Sequence, residues 1–337
     1  MSKTLRKDIQ KIGVIGAGAW GTALAAAATS AGRDVVIWTH EAGVADTINK
    51  NHENTAFLPG VPLDAGIRAT PHMAEAADAD ALLLVMPAQF LRAVTGELSA
   101  LCQPGTPAVI CCKGIEQGTG ALMSEICAET LPQAPLAVLS GPTFAIEVAH
   151  GLPTAVTLAC RDKTLGAALA EAIGSVSFRA YRSHDLIGAE IGGAVKNVLA
   201  IACGIIEGRR LGDNARAALI TRGLSEIIRL AVAKGAEAET LMGLSGLGDL
   251  TLTCNAIQSR NFSLGVALGE GRTLDKILGE RTSVAEGVHS AASVTALARK
   301  LGVELPICTA VDGILNNFAD IDSAIQGLLA RPVGVET

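Results

Sequence analysis

The hexapeptide Gly16-Ala17-Gly18-Ala19-Trp20-Gly21 constrains this chain more than any other stretch. It follows the apolar run 12–15 and leads into an Ala-rich helical pattern, after which 35–38 reads as a second strand. A GxGxxG between a strand and a helix marks a βαβ unit that holds a dinucleotide. Gly16 permits the tight turn, Gly18 lets the backbone approach a pyrophosphate, and Gly21 lets the helix pack closely on the strand. The helix N-terminus offers N–H groups and the positive end of its dipole to the phosphates. A glycine-rich turn without a ligand is the plainer alternative, and the flanking strand and helix weigh against it. An acidic residue usually grips the adenosine ribose just after the second strand, yet Trp38-Thr39-His40-Glu41 stands there. His40 is a candidate for adenine or a 2′-phosphate, or a solvated loop histidine, and Glu41 is a candidate for the ribose of NAD. The choice between NAD and NADP stays open.

Short apolar runs continue to alternate with helical patterns, as in a parallel sheet. Six strands are predicted, over 12–15, 35–38, 81–85, 108–112, 136–139 and 155–158. After about residue 188 the strand signals fade, and helices are predicted over 192–207, 215–234, 259–268, 286–301 and 308–318. The expected fold class is α/β, a Rossmann-like, mostly parallel sheet with helices on both faces (1–188), followed by an all-helical substrate and catalytic domain (189–337). A length of 337 residues suits two domains. With 49% hydrophobic but only 3% aromatic residues, the core must be packed from Ala, Val, Leu and Ile.

A net charge of -6 with no Lys/Arg block excludes a general affinity for nucleic acid. Eight cysteines without a CxxC pair read as reduced thiols, not as a metal site or a disulfide framework. The opening MSKTLRKDIQ has no signal-peptide character, and no uninterrupted apolar run approaches the roughly 20 residues that span a bilayer. These features predict a cytoplasmic protein without membrane insertion, with a loose tail after Arg331.

Four further segments carry polar residues that packing does not require. Cys112-Lys113-Gly114 closes a strand at the sheet edge where ligands bind in open α/β folds, which aims Lys113 at the site or else leaves it a surface lysine. Ser140-Gly141-Pro142-Thr143-Phe144-Ala145 also follows a strand and offers a tight turn with a hydroxyl. Glu190-Ile191-Gly192-Gly193-Ala194-Val195-Lys196-Asn197 opens an apolar helix, with Gly192 and Gly193 on the face of Lys196, where their missing side chains leave room for a ligand. In apolar surroundings Lys196 would have a lowered pKa and could serve as acid or base; a snorkelling lysine is the alternative. Gly246-Leu247-Gly248-Asp249-Leu250-Thr251-Leu252-Thr253-Cys254 leads to Ser259-Arg260-Asn261, a candidate phosphate clamp at a helix start, with Asp249 able to pair with a lysine. Ser259 or Asn261 acting only as a cap, and Asp249 only holding a turn, are alternatives that spacing does not separate.

Taken in order, GAGAWGTA, CKG, SGPTFA, EIGGAVKN, GLGDLTLTC, SRN and VAEG resemble the bacterial glycerol-3-phosphate dehydrogenase [NAD(P)+] family over nearly the whole chain. The resemblance implies reversible reduction of dihydroxyacetone phosphate to sn-glycerol 3-phosphate with NADH or NADPH, supplying phospholipid synthesis, in a homodimer. It places the general acid/base on Lys196 and a second active-site lysine on Lys113, with Asp249 orienting Lys196 and Asn197 helping to polarise the reacting oxygen. Substrate contacts fall on Gly141, Thr143, Asp249, Ser259, Arg260 and Asn261, with Asn197 and Thr253 beside them. Cofactor contacts fall on Ala19, Trp20, His40, Lys113, Ala145, Arg260, Val284 and Glu286. Two departures are Ala19, where many relatives have Ser, and His40, where Arg is frequent. A related β-hydroxyacid dehydrogenase and a non-catalytic NAD(H)-sensing regulator are the alternatives, though the regulator gives no reason for Lys113, Lys196 and Asp249 to occur together.

Overall fold

The computed structural model describes residues 8–280 and 286–332; all but the first residue of the tail expected to be loose, and the candidate Val284, fall outside them. The chain forms two compact units, one of residues up to Lys113 with Ala121–Glu190, the other of Gly114–Gly120 with residues from Ile191 onward.

The first unit is built on eight strands: β1 (Lys11–Ile15), β2 (Asp34–Trp38), β3 (Arg68–Thr70), β4 (Ala81–Leu84), β5 (Ala108–Ile110), β6 (Leu136–Ser140), β7 (Thr154–Cys160) and β8 (Phe178–Ser183). They lie in the order β3-β2-β1-β4-β5-β6-β7-β8, parallel throughout except where β6 meets β7. β1 pairs on both sides, Ile12 opposite Val35 on β2 and opposite Ala81 on β4, so the strand order reverses there. Ligands of open α/β sheets bind beyond the carboxyl ends of the strands at such a reversal. The central strands alternate between two cores: Ile12, Val14, Val35 and Ile37 pack with Leu24 and Ala28 of helix α1 (Ala19–Ser30), while Ile15, Val36, Leu82 and Leu84 pack with Met73, Leu91 and Ile126. Burying an aliphatic side chain of this size contributes about 1.5–3 kcal/mol, which is why a sheet apolar on both faces must carry helices on both.

The six expected strands are all present, and β3 and β8 are added to them. β3 is only three residues long and starts at the exposed Arg68, so it has no apolar run to announce it. β8 is an edge strand reading FRAYRS, in which buried Phe178 is followed by exposed Arg179, Tyr181 and Arg182.

The second unit is helical. Its longest helix, Leu186–Gly208, starts six residues before the expected 192, because Asp185 Oδ1 accepts the Gly188 N–H at 2.9 Å and caps the earlier start. By length and mean hydropathy this helix could cross a membrane, but Glu190 and Lys196 interrupt its apolar run, as the sequence expectation has it, and that stretch is entirely buried inside the protein. Gly204 and Gly208 of this helix meet Gly265 and Gly269 of the helix Arg260–Gly269 so closely that a Cβ on Gly204 would lie 2.1 Å from Phe262 O, and one on Gly265 2.1 Å from Ile201 O. The two helices therefore touch backbone to backbone and run in register. Helices Asp213–Ala233, Glu286–Leu301 and Pro306–Asn316 complete the packing, the last capped by the buried Glu226, whose carboxylate accepts the N–H groups of Ile307 (2.7 Å) and Cys308 (3.1 Å).

Candidate active site

In the first unit the glycine-rich loop joins β1 to α1 with Gly16 at φ 120, where a Cβ would lie 3.0 Å from the Val85 backbone. A Cβ on Gly21 would sit 1.9 Å from Gly16 O, so the first turn of α1 presses directly on the loop. At Gly18, by contrast, a Cβ would meet nothing within 4 Å. This open backbone beside the first turn of a helix, whose leading N–H groups have no intrahelical acceptors, fits a pyrophosphate. Ala19 and Trp20 form that first turn, and the buried Trp20 Nε1 has no hydrogen-bond partner. His40 is exposed after β2, while Glu41 is engaged by Thr39, whose hydroxyl donates to its Oε2 at 3.0 Å.

The CKG and SGPTFA segments come together at one carbonyl. Lys113 Nζ donates to Gly141 O at 3.2 Å, and Thr143 Oγ1 donates to the same oxygen at 3.3 Å. Gly141 is pressed against β7, where a Cβ would lie 2.9 Å from Val156 Cα. Ala145 opens the short helix Ala145–Ala149. Glu190 of the EIGGAVKN segment turns to a structural task, accepting Ser124 N at 2.7 Å and Ser124 Oγ at 2.6 Å.

In the second unit Lys196 lies well inside its helix and is 7% exposed. Its surroundings are not purely apolar: Nζ donates to Asp249 Oδ1 at 2.5 Å and to Thr253 Oγ1 at 3.0 Å, and Thr253 Oγ1 in turn donates to Asp249 O at 2.7 Å. Asp249 is 0% exposed and starts the helix Asp249–Asn255, which follows a π-helical turn, Leu244–Gly248. Behind it, the Cys254 thiol is pushed up by its hydrogen bond with Cys203 and by burial, and stays neutral. Gly192 does not leave room for a ligand as expected. A Cβ there would lie 2.3 Å from Ser245 O, so the space is filled by the turn that delivers Asp249.

Ser259 caps the helix Arg260–Gly269 by accepting Phe262 N at 3.2 Å, leaving Arg260 exposed at the first helical position. Asn261 is buried and accepts the Gly287 N–H at 3.0 Å, and a Cβ on Gly287 would lie 2.8 Å from Asn197 O. Asn197, Asn261 and Glu286, which opens the helix ending at Leu301, are thereby brought together on the second unit. One buried residue of the first unit escaped sequence reasoning: Asn54, whose amide reaches the glycine-rich loop. Its only sequence signal is an asparagine inside a turn-rich stretch, HENTAFLPG.

A strand-reversing sheet with a GxGxxG loop, joined to a helical unit that buries a lysine–carboxylate pair, defines a two-unit dinucleotide-dependent dehydrogenase. Family models for the NAD-dependent glycerol-3-phosphate dehydrogenase N-terminus and C-terminus match residues 11–166 and 185–326. A glycerol-3-phosphate dehydrogenase [NAD(P)+] of Parvibaculum lavamentivorans is 60% identical over 97% of this chain and 98% of its own. That of Rhodospirillum rubrum is 61% identical over 98% of this chain and 95% of its own. The crystal structure of glycerol-3-phosphate dehydrogenase from Coxiella burnetii superimposes with a TM-score of 0.92 at 40% identity, covering 96% of this chain and 99% of that one. The chain belongs to the NAD-dependent glycerol-3-phosphate dehydrogenase family.

Proposed function

We propose that this protein reversibly reduces dihydroxyacetone phosphate to sn-glycerol 3-phosphate with NADH or NADPH. The observation that carries the reading is Lys196, buried and held by Asp249 and Thr253, in a chain whose other unit bears an open GxGxxG loop. Family membership supports the same reaction. A dinucleotide held at that loop would supply the hydride for reduction of the C2 carbonyl carbon. Lys196 Nζ–H donates the proton that the resulting alkoxide needs, and in the reverse direction the neutral amine takes it back. Asp249 holds the ammonium in place, and Thr253 fixes its second direction. Lys113 and Asn197 polarise the reacting oxygen with donors set in advance of the charge. Arg260 holds the phosphate, with Ser259 and Asn261 beside it and Gly141 and Thr143 as further substrate contacts. Ala19, Trp20, His40, Ala145, Val284 and Glu286 are assigned to the dinucleotide.

The role inferred for the protein is supply of the glycerol phosphate backbone of phospholipids, as a cytoplasmic homodimer. The eight cysteines form no disulfide among the described residues, which suits a reducing compartment. Initial rates with dihydroxyacetone phosphate, run side by side with NADH and NADPH, test the reaction and the cofactor together. Turnover with at least one dinucleotide is expected. No turnover with either, or faster turnover of a β-hydroxyacid, overturns the reading.

A further inference from the structure

Asn54 is uncharged, lies outside the glycine-rich segment and is 0% exposed. A buried amide is tolerated only when its donors and acceptor are partnered. Here Oδ1 accepts Phe57 N at 3.1 Å, and Leu58 N donates to Asn54 O at 2.8 Å, so a tight local turn fixes the residue. Both Nδ2 hydrogens are then committed to the β1–α1 region, one to Ala17 O at 2.7 Å and one to Thr22 Oγ1 at 2.8 Å. Thr22 is itself 0% exposed, and its hydroxyl donates to Ala17 O at 3.4 Å. Two buried side chains thus converge on a single loop carbonyl.

The direction of that carbonyl matters. The Ala17–Gly18 peptide is planar and trans, so its C=O and N–H point to opposite sides. Fastening Ala17 O inward turns the Gly18 N–H outward, beside a residue whose Cβ position is open for 4 Å. A loop that still had to choose this orientation would lose affinity to the cost of ordering it.

We propose that Asn54 is a positioning residue for the dinucleotide, which, with Thr22, locks the glycine-rich loop in its phosphate-accepting orientation before the cofactor arrives. This rests on the reading of that loop as the pyrophosphate site. The chain has two tryptophans, Trp20 in α1 and Trp38 at the end of β2, so quenching of their fluorescence reports titrations with NADH and with NADPH. Asn54→Leu is expected to raise the dissociation constant of each dinucleotide that binds the parent protein by about tenfold or more. The KM for that dinucleotide should rise with it, while kcat at saturation and the KM for dihydroxyacetone phosphate stay within about twofold. Thr22→Val keeps the turn around Asn54 and should raise the same dissociation constant by about threefold or more. A folded Asn54→Leu protein that loses thermal stability yet binds dinucleotide unchanged overturns the proposal, since a purely structural role would do just that. Should Asn54→Leu fail to fold, Thr22→Val decides, and an unchanged dissociation constant there overturns it. Gly18→Val separates the two levels. If it leaves binding intact, the loop is not the pyrophosphate site and the proposal falls with that reading; if it abolishes binding while Asn54→Leu and Thr22→Val do not weaken it, only the role of Asn54 is lost.

Discussion

Lys196 Nζ donates to Asp249 Oδ1 at 2.5 Å, and neither side chain has appreciable access to water. Taking away one partner of a buried ion pair strands the other charge, at a cost of about 3–5 kcal/mol. Asp249→Ala should therefore lower the urea midpoint strongly, and the double variant Lys196→Met/Asp249→Leu should recover much of the loss. A double variant no more stable than Asp249→Ala would show that the pair is not electrostatically linked in this way.

The acid/base assignment has a separate test. Lys196→Met should lower kcat by roughly 10²- to 10⁴-fold. Dinucleotide binding, followed by tryptophan fluorescence, should survive. Near-normal turnover in the folded variant would remove Lys196 from the chemistry.

Arg260 opens a helix that Ser259 caps, which gives the two residues different signatures. Arg260→Ala should raise the KM for dihydroxyacetone phosphate and also lower kcat, because phosphate contacts position the reacting carbon as well as hold the molecule. A change confined to KM would mean uniform binding only. Ser259→Ala should cost about 1 kcal/mol of stability through the lost cap, measured by thermal unfolding.

Gly192 is a packing residue. A single added methyl in Gly192→Ala would meet Ser245 O at 2.3 Å, so the turn carrying Asp249 must shift. Overpacking of this kind costs about 1–3 kcal/mol. A loss of kcat should accompany it, and unchanged stability and turnover together would contradict the close approach.

Burial pushes the Glu226 carboxyl above its ordinary range, against the opposing pull of the Ile307 and Cys308 N–H groups. The folded state then holds this proton more tightly than the unfolded chain, so stability falls as pH rises from the ordinary carboxylate value through the raised one. In Glu226→Gln that slope should vanish from a plot of melting temperature against pH. Parallel curves for parent and variant would show that Glu226 does not supply it.

Legibility in the sequence tracked how local the cause was. The β1 loop and α1 were readable because a strand, three glycines and a helix lie within about twenty residues, each with its own pattern. β3 and β8 were not, since one is too short for periodicity and the other shows the mixed polarity of an edge. Asp249 could be named as a partner for a lysine, but its 2.5 Å approach to Lys196 spans 53 residues and depends on the packing of Gly192 against Ser245. Gly192 was read as space for a ligand because an absent side chain looks the same in sequence whether a substrate or a backbone fills the gap. Asn54 stayed hidden for the related reason that its contacts with Thr22 and Ala17 lie 32 and 37 residues away.

Where Gly204 and Gly208 lie against Gly265 and Gly269, the nearest atoms on each side are backbone atoms. Two helices joined in this way have little freedom to slide, so they act as a fixed gauge. One carries the lysine proposed to meet the alkoxide, and the other begins with the guanidinium proposed to hold the phosphate. Under those two proposed roles, the spacing between proton donor and phosphate holder rests on backbone contact.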